Sequence, residues 1–306
     1  MTHYYSYNSY LQKKFGCRVY KVSIDAGFTC PNRDGTKGVG GCIFCDEKGA
    51  SSRTHCSGVS ITDQIRNNIN VRKNRYGAQK FIAYFQSFTN TYAPVSHLKT
   101  LYDEALQAHP DIIGLAISTR ADCIDSEKLE LIASYRSRVP YVSIEYGLQT
   151  IHDRTLMLIN RQETHEDFAR ALKMTQEFGI DHCVHVILGL PGETSDEMIE
   201  TAQCIAGYRI QGVKIHFLVA MQQTVLAKYY IEERWKPLSM EEGVSLTCDF
   251  LERLPSSCII YRIGGNGHPL HAIAPEWVWK NKKEFLYAID REFERRGTRQ
   301  GSLYMM

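Results

Sequence analysis

The chain has 306 residues, a formal charge of +2 at pH 7 and 43% hydrophobic residues. That length supports one large α/β domain or two ordinary ones with a sizeable core, and the balance of 36 basic against 34 acidic residues excludes a uniformly basic nucleic-acid surface. No apolar run reaches the length of a membrane span and the opening MTHYYSYNSYLQKKF lacks a signal-type apolar segment, so a cytoplasmic protein with no membrane partner is expected, with its 10 cysteines reduced.

Residues 1–18 read as a tyrosine-rich packing arm. Short apolar runs then recur: VYKVSIDA from Val19, KFIAYFQSF from Lys80, DIIGLAIST from Asp111, YVSIEYG from Tyr141, DHCVHVILG from Asp181 and VKIHFLV from Val213. Helix-spaced segments separate them at the intervals of βα units. That predicts parallel strands with right-handed crossovers and, for six strands, an incomplete (β/α)6 TIM-like barrel over residues 19–235. Residues 236–306 are a C-terminal extension expected to close the barrel. Within it LSMEEGVSLTCDFLERL reads as a helix, SCIIYRI as a short strand and APEWVWKNKKEFLYAIDREFERR as one long amphipathic helix.

Strand alternation divides these runs into two faces. In YVSIEYG, Val142 and Ile144 share one face and Tyr141, Ser143 and Glu145 the other; the same rule groups Lys214 with His216, and His185 with Cys183 and Ile187. The polar face is expected to look inward, making a reaction chamber whose site lies at the strand C-termini. Lys214 and His216 are candidates for catalytic or substrate contacts, although inward polar groups also serve to bond one another. In ILGLPGETSDE, Thr194 and Glu197 have capping-box spacing, while Gly189 and Gly192 permit close backbone approach to a ligand.

The loop after the first strand holds Cys30, Cys42 and Cys45 around four glycines, so its backbone can wrap something compact. Three thiolates with an open fourth position suit zinc, completed by His55 or Cys56, or an iron–sulfur cluster. The remaining cysteines stand outside close pairs and read as small buried apolar residues.

Placed after the first strand of a partial barrel, C-x11-C-x2-C resembles the radical S-adenosylmethionine superfamily. GFTCPNRDGTKGVGGCIFC, AYFQSFTNT, STRADC, EYGLQTIHDRTLMLINR and GLPGE, spread between Tyr20 and Ile263, are together similar to its YtqA/YhcC-type family, close to the Elongator catalytic-subunit branch. The resemblance implies that Cys30, Cys42 and Cys45 hold a [4Fe–4S] cluster whose open iron takes S-adenosyl-L-methionine. It also implies that Phe44 and the segment at Ile187 and Gly189 lie beside the adenine, and that Ser118 and Thr119 meet the ribose or amino-acid portion. Glu145 falls in the cofactor region, and Arg161 steadies the cofactor carboxylate, a task suited to a guanidinium. In this superfamily one electron splits S-adenosylmethionine into methionine and a 5′-deoxyadenosyl radical that abstracts hydrogen from substrate. A reducing electron-transfer protein is therefore an implied partner.

Relatives of the YtqA type are associated with the tRNA wobble uridine, which implies tRNA as substrate and conversion of 5-carboxymethylaminomethyl to 5-aminomethyl. Candidate RNA contacts are Arg72, Lys73 and Arg75 in one basic segment and Arg295, Arg296 and Arg299 in another; solvation of helices is the competing role. VAMQQTVLAKYY departs from the Lys-Gly-Thr common in relatives. The alternatives are radical chemistry on a small metabolite or peptide, and a non-catalytic zinc or iron–sulfur binding module.

Overall fold

The computed structural model describes residues 3–47, 58–265 and 271–305. In chain order the helices are α1 (Tyr7–Phe15), α2 (Ile61–Tyr76), α3 (Val95–Gln107), α4 (Ser126–Ser134), α5 (Asp153–Leu158), α6 (His165–Glu177), α7 (Ser195–Gly207), α8 (Val225–Ile231), α9 (Met240–Glu252), α10 (Trp277–Lys280) and α11 (Lys282–Arg296). The strands are β1 (Val19–Ile24), β2 (Lys80–Phe85), β3 (Ile112–Thr119), β4 (Tyr141–Gln149), β5 (Asp181–Leu188), β6 (Gly212–Phe217), β7 (Ala220–Met221), β8 (Ile259–Ile263) and β9 (Ala272–Ala274).

Each of the six apolar runs becomes one of the strands β1 to β6. The short run SCIIYRI supplies β8, a seventh parallel strand beside β6, giving the order β1-β2-β3-β4-β5-β6-β8. The outcome is a parallel α/β partial barrel, curled but not closed by pairing of β1 with β8. The helices cover its outside, where Val22, Ile24, Phe85, Ile117, Ile144, Tyr146, Val184 and Ile215 are buried against them. Helix starts follow local chemistry: α7 opens with the capping box of Thr194 and Glu197, and α6 and α9 with equivalent boxes at Thr164/Asp167 and Ser239/Glu242.

The tyrosine arm bridges the two edges. α1 packs on both β1 and β8, Ser6 forms a parallel bridge with Ile260, and the Tyr7 ring stacks on Tyr261 at 4.1 Å. Tyr7 Oη donates to Tyr141 Oη at 3.0 Å, and Tyr141 and Tyr261 hydroxyls lie 3.0 Å apart. These rings floor the barrel. The C-terminal amphipathic stretch is not continuous: Asn281 (φ −110°, ψ 27°) leaves the helical region and divides it into α10 and α11. Asn is prone to such a break because its side chain competes for backbone bonds, and periodicity alone does not register it.

Gly212 starts β6 against this floor. A Cβ there would sit 2.3 Å from Tyr261 Cε2 and 2.9 Å from the Ile259 carbonyl oxygen. Gly212→Ala is therefore expected to destabilise the fold by about 1–3 kcal/mol through overpacking, read as a lowered urea midpoint; an unchanged midpoint would mean that Tyr261 swings clear.

Candidate active site

The loop from Cys30 to Cys45 has little regular structure and is held by side chains from another segment, LINRQ, after α5. Asn32 Nδ2 donates to the Asn160 carbonyl at 2.5 Å, Asn160 Nδ2 donates to the Gly41 carbonyl at 2.8 Å, and the Ile43 amide donates to the Ile159 carbonyl at 3.0 Å. Arg161 Nη1 reaches Cys42 Sγ at 4.0 Å while Nη2 donates to the Gly147 carbonyl at 2.6 Å. Beneath lies Arg120, fully buried: it grips Asp122 through two bonds of 2.8 and 2.7 Å and donates to the carbonyls of Arg161 and Gln162 at 2.8 and 3.0 Å. Asp122 in turn takes Lys37 of the cysteine loop at 2.6 Å. Asn32, Asn160 and Arg120 carry no chemical signal of their own in the sequence, although the first two flank motif residues and the third lies within STRADC.

The three loop thiols are free, Cys42 buried and Cys30 and Cys45 half-buried. Burial pushes the Cys45 thiol up to about 12, and the Cys42 and Cys30 sulfurs add to that rise while Arg33 opposes it. A thiolate there needs a cationic centre beside it. Asn32 Oδ1 and Arg161 Nε are buried without a partner at the same place. Among the described residues, Glu145, Cys183 and His185 are the one trio whose ligand atoms all lie within 4.8 Å. The cysteine loop offers three free thiols, the ligand type that holds iron–sulfur clusters. Such a donor set fits an iron–sulfur cluster. The zinc completion by His55 or Cys56 falls outside the described residues.

Inside the barrel, Glu145 is fully buried and meets donors from four other strands. Lys21 (β1) pairs with Oε1; Tyr84 (β2) donates to Oε2 at 2.9 Å, His185 (β5) lies 2.7 Å from it and Lys214 (β6) 2.6 Å. Burial alone would raise the Glu145 carboxyl, but Lys21 and Lys214 outweigh it and hold it well below the usual range. The two ammoniums occupy the place a cation would take beside the Glu145, Cys183 and His185 trio. His216 follows Lys214 on the inward face, its ring centroid 5.3 Å from that of His185 and its Nδ1 3.5 Å from Arg262 Nη2.

Other expected contacts are gathered unevenly. Ile187 packs in an apolar cluster with Ile43, Leu156, Leu218 and Trp235, and Phe44 lies against it, so the cysteine loop and the β5 segment share one platform. Gly189 has φ +85° and its carbonyl takes Trp235 Nε1 at 2.9 Å. Ser118 is half-buried on the inward face, whereas Thr119 is buried on the opposite one, its Oγ1 2.6 Å from Thr91 Oγ1. Successive strand residues point to opposite sides, so the barrel interior receives Ser118 and not Thr119. Of the basic candidates, Arg75, Arg295 and Arg299 are exposed, and Arg72 is half-buried with its guanidinium 6.0 Å from the Tyr20 ring. Lys73 pairs with Asp111 at 2.7 Å, Arg295 with Glu292 at 2.8 Å, and Arg296 joins Glu292, Asp249 and Glu252 at the α9/α11 contact.

The sequence pattern of the Radical SAM superfamily matches residues 30–205, and that of the Radical SAM C-terminal domain matches residues 210–295. Protein YtqA of Bacillus subtilis (strain 168) is 39% identical over 98% of this chain and 92% of its own length. A tRNA uridine(34) acetyltransferase of Dehalococcoides mccartyi (strain CBDB1) is 22% identical over 49% of this chain and 33% of its own length. Among solved structures, archaeal Elp3 of Methanocaldococcus infernus, lacking its N-terminal residues, superposes with a TM-score of 0.70 at 17% identity over 93% of this chain and 64% of that one. No helix of the described residues is long and apolar enough to cross a membrane.

The interior cluster imposes a pH dependence. Burial lowers the His185 imidazole, Lys214 lowers it further, and Glu145 only partly opposes them, leaving it at about 4. The unfolded chain, with its histidine near 6.5, takes the proton first, so the stabilisation is complete above about pH 6.5 and is lost as pH falls towards about 4. Between pH 7 and pH 5 this group is expected to remove on the order of 2 kcal/mol. Urea titrations at both values should show that difference shrinking in His185→Gln; an identical pH slope in the variant would assign the effect elsewhere.

Proposed function

The chain belongs to the radical S-adenosylmethionine superfamily and to its YtqA/YhcC-type family, and on that premise we propose that it removes the carboxymethyl group from 5-carboxymethylaminomethyluridine at the tRNA wobble position, leaving 5-aminomethyluridine. As a superfamily enzyme it works with a [4Fe–4S] cluster and S-adenosylmethionine. The observation that carries the substrate is the similarity of half the chain to a protein named for uridine 34 of tRNA. The barrel is compatible with it, because its inward face is polar and opens at the end where the cysteine loop sits.

Cys30, Cys42 and Cys45 hold the cluster in this reading, and Arg161, beside Cys42, binds the carboxylate of S-adenosylmethionine. Bound together, the two cofactors supply reductive cleavage of a carbon–sulfur bond and a carbon radical able to take a hydrogen atom from the glycine-like methylene of the substrate. Phe44, Ile187 and their apolar neighbours pack the adenine and exclude water. Ser118 offers its hydroxyl from the inward face. Glu145 acts through the side chains it holds, since its oxygens are already occupied by Lys21, Tyr84, His185 and Lys214.

A second reading, a small metabolite or peptide as substrate, is favoured by the intramolecular pairing of Lys73 and Arg296, which leaves Arg75, Arg295 and Arg299 as the exposed members of the two basic segments, Arg295 itself paired with Glu292.

Serine in place of any of Cys30, Cys42 and Cys45 is expected to abolish S-adenosylmethionine cleavage after anaerobic reconstitution, whereas Cys17→Ser leaves iron content and cleavage intact. A triple variant that keeps a normal cluster spectrum would refute the ligand assignment. Incubated with reduced enzyme, S-adenosylmethionine and hypomodified tRNA, the wobble nucleoside should lose the mass of its carboxymethyl substituent as 5′-deoxyadenosine accumulates. Unchanged nucleoside alongside active cofactor cleavage, with unchanged tRNA in deletion cells, removes the substrate reading and leaves the radical enzyme.

A further inference from the structure

The inward face of the barrel is wetter than its outward face. Ser23, Gln86, Ser118, Gly147, His185 and His216 are half-buried, while the outward neighbours Ile24, Phe85, Ile117, Tyr146, Val184 and Ile215 are buried. Tyrosines close the floor, so solvent reaches this lumen from the mouth. Within it two ammonium groups share one carboxylate: Lys21 pairs with Oε1 of Glu145 and Lys214 with Oε2. His185 and His216 are held neutral by burial and by the neighbouring cations. Against the single carboxylate of Glu145 the lumen therefore sets the ammoniums of Lys21 and Lys214 and, 3.5 Å from His216, the guanidinium of Arg262, so cationic groups are in excess.

An uncompensated charge in such a site is costly, and the group that offsets it is an anion. Burial and Lys214 both pull the Lys21 ammonium below its ordinary value, which Glu145 only partly opposes. Lys214 uses two of its three N–H groups, towards Glu145 Oε2 at 2.6 Å and Tyr84 Oη at 3.0 Å, leaving one donor. The lumen thus suits an anionic group small enough to enter from the mouth.

Resting on the wobble-uridine reading above, we propose that the carboxylate of the substrate's carboxymethyl group docks on the Lys214 ammonium inside the barrel, making Lys214 the residue that selects a carboxylate-bearing side chain. Lys21 adds a second positive charge behind it. His185 turns Nε2 towards Glu145, so its Nδ1 lone pair accepts from the neighbouring substrate amine. Held at both groups, the intervening methylene is fixed relative to the mouth. Lys214 is then a binding and specificity residue, and its ion pair with Glu145 is what keeps it in place.

The test compares an anticodon stem-loop bearing 5-carboxymethylaminomethyluridine with the same stem-loop bearing the neutral carboxamide, on cluster-loaded enzyme. Wild type is expected to show a KM about 10- to 100-fold higher for the carboxamide, the range of one charge-assisted hydrogen bond. Lys214→Gln should raise the KM of the carboxylate substrate to the carboxamide level, Lys214→Arg should keep the preference, and S-adenosylmethionine affinity should be unchanged in both. Wild type that treats the two substrates alike overturns the assignment while leaving the wobble-uridine reading intact, and so does folded Lys214→Gln that still discriminates. Loss of S-adenosylmethionine binding in Lys214→Gln overturns it too, by giving the ammonium to the cofactor's carboxylate. If Lys214→Gln does not fold, the wild-type comparison and Lys214→Arg decide. Wild type inactive on both stem-loops removes the wobble-uridine reading and this assignment with it.

Discussion

A single buried carboxylate organises the barrel. Glu145 on β4 draws side chains from β1, β2, β5 and β6, so five of the seven strands meet at one charge. A carboxylate in that position is tolerable only because every approach to it ends in a donor; removing one partner leaves a buried charge exposed to its desolvation cost. Pairs spanning a sheet at this distance also require curvature. A flat sheet would hold Lys21 on its first strand far from Glu145 on its fourth, and the observed contact is met by curling β1 towards β4. The outer face, packed with aliphatic side chains, supplies the driving force for burial, while the inner cluster specifies how far the sheet bends.

The cysteine loop depends on that frame at one remove. Its own backbone makes few regular bonds, and its shape comes from Asn160 and Arg161 at the end of the β4–α5 segment, steadied by Arg120 from the end of β3. The Lys37–Asp122–Arg120 chain joins the loop to the same group. Close packing leaves no tolerance here: a Cβ on Gly38 would lie 2.4 Å from Asn32 Oδ1. The segment after α5 and the end of β3 therefore fix where the thiols stand, which is how a glycine-rich segment presents a fixed set of sulfurs to a cofactor.

Several features were legible because they are local. The period-two alternation in YVSIEYG and VKIHFLV assigned Glu145, Lys214 and His216 to the inner face, where they lie, and Thr194 and Glu197 form the capping box their spacing indicates. The same alternation separates Ser118 from Thr119, so carrying both into one ligand contact set residue type above strand geometry. Illegible features are those that need a partner distant in sequence. Basic character alone marked Arg296 as a phosphate contact, yet its neighbours across 40 or more residues, Asp249 and Glu252, engage it at the α9/α11 contact. A short apolar run such as SCIIYRI states that a strand forms but not which edge accepts it; the open side of β6 decided that.

By itself the amino-acid sequence determined the βα order, the inward and outward faces of β4, β5 and β6, the Thr194/Glu197 helix cap and the chemistry of a three-thiol loop, because each follows from spacing within a few residues. Tertiary structure alone decided that Lys21, Tyr84, His185 and Lys214 converge on Glu145, that Asn32, Asn160 and Arg120 hold the cysteine loop, and that Tyr7 seals the floor with Tyr141 and Tyr261. These are contacts between residues 40 to 134 positions apart, and their energy depends on burial and on which charges already occupy the space. A side chain's charge is written in its own residue type, but whether that charge is spent on the fold or left for a ligand is set by the neighbours that folding brings to it.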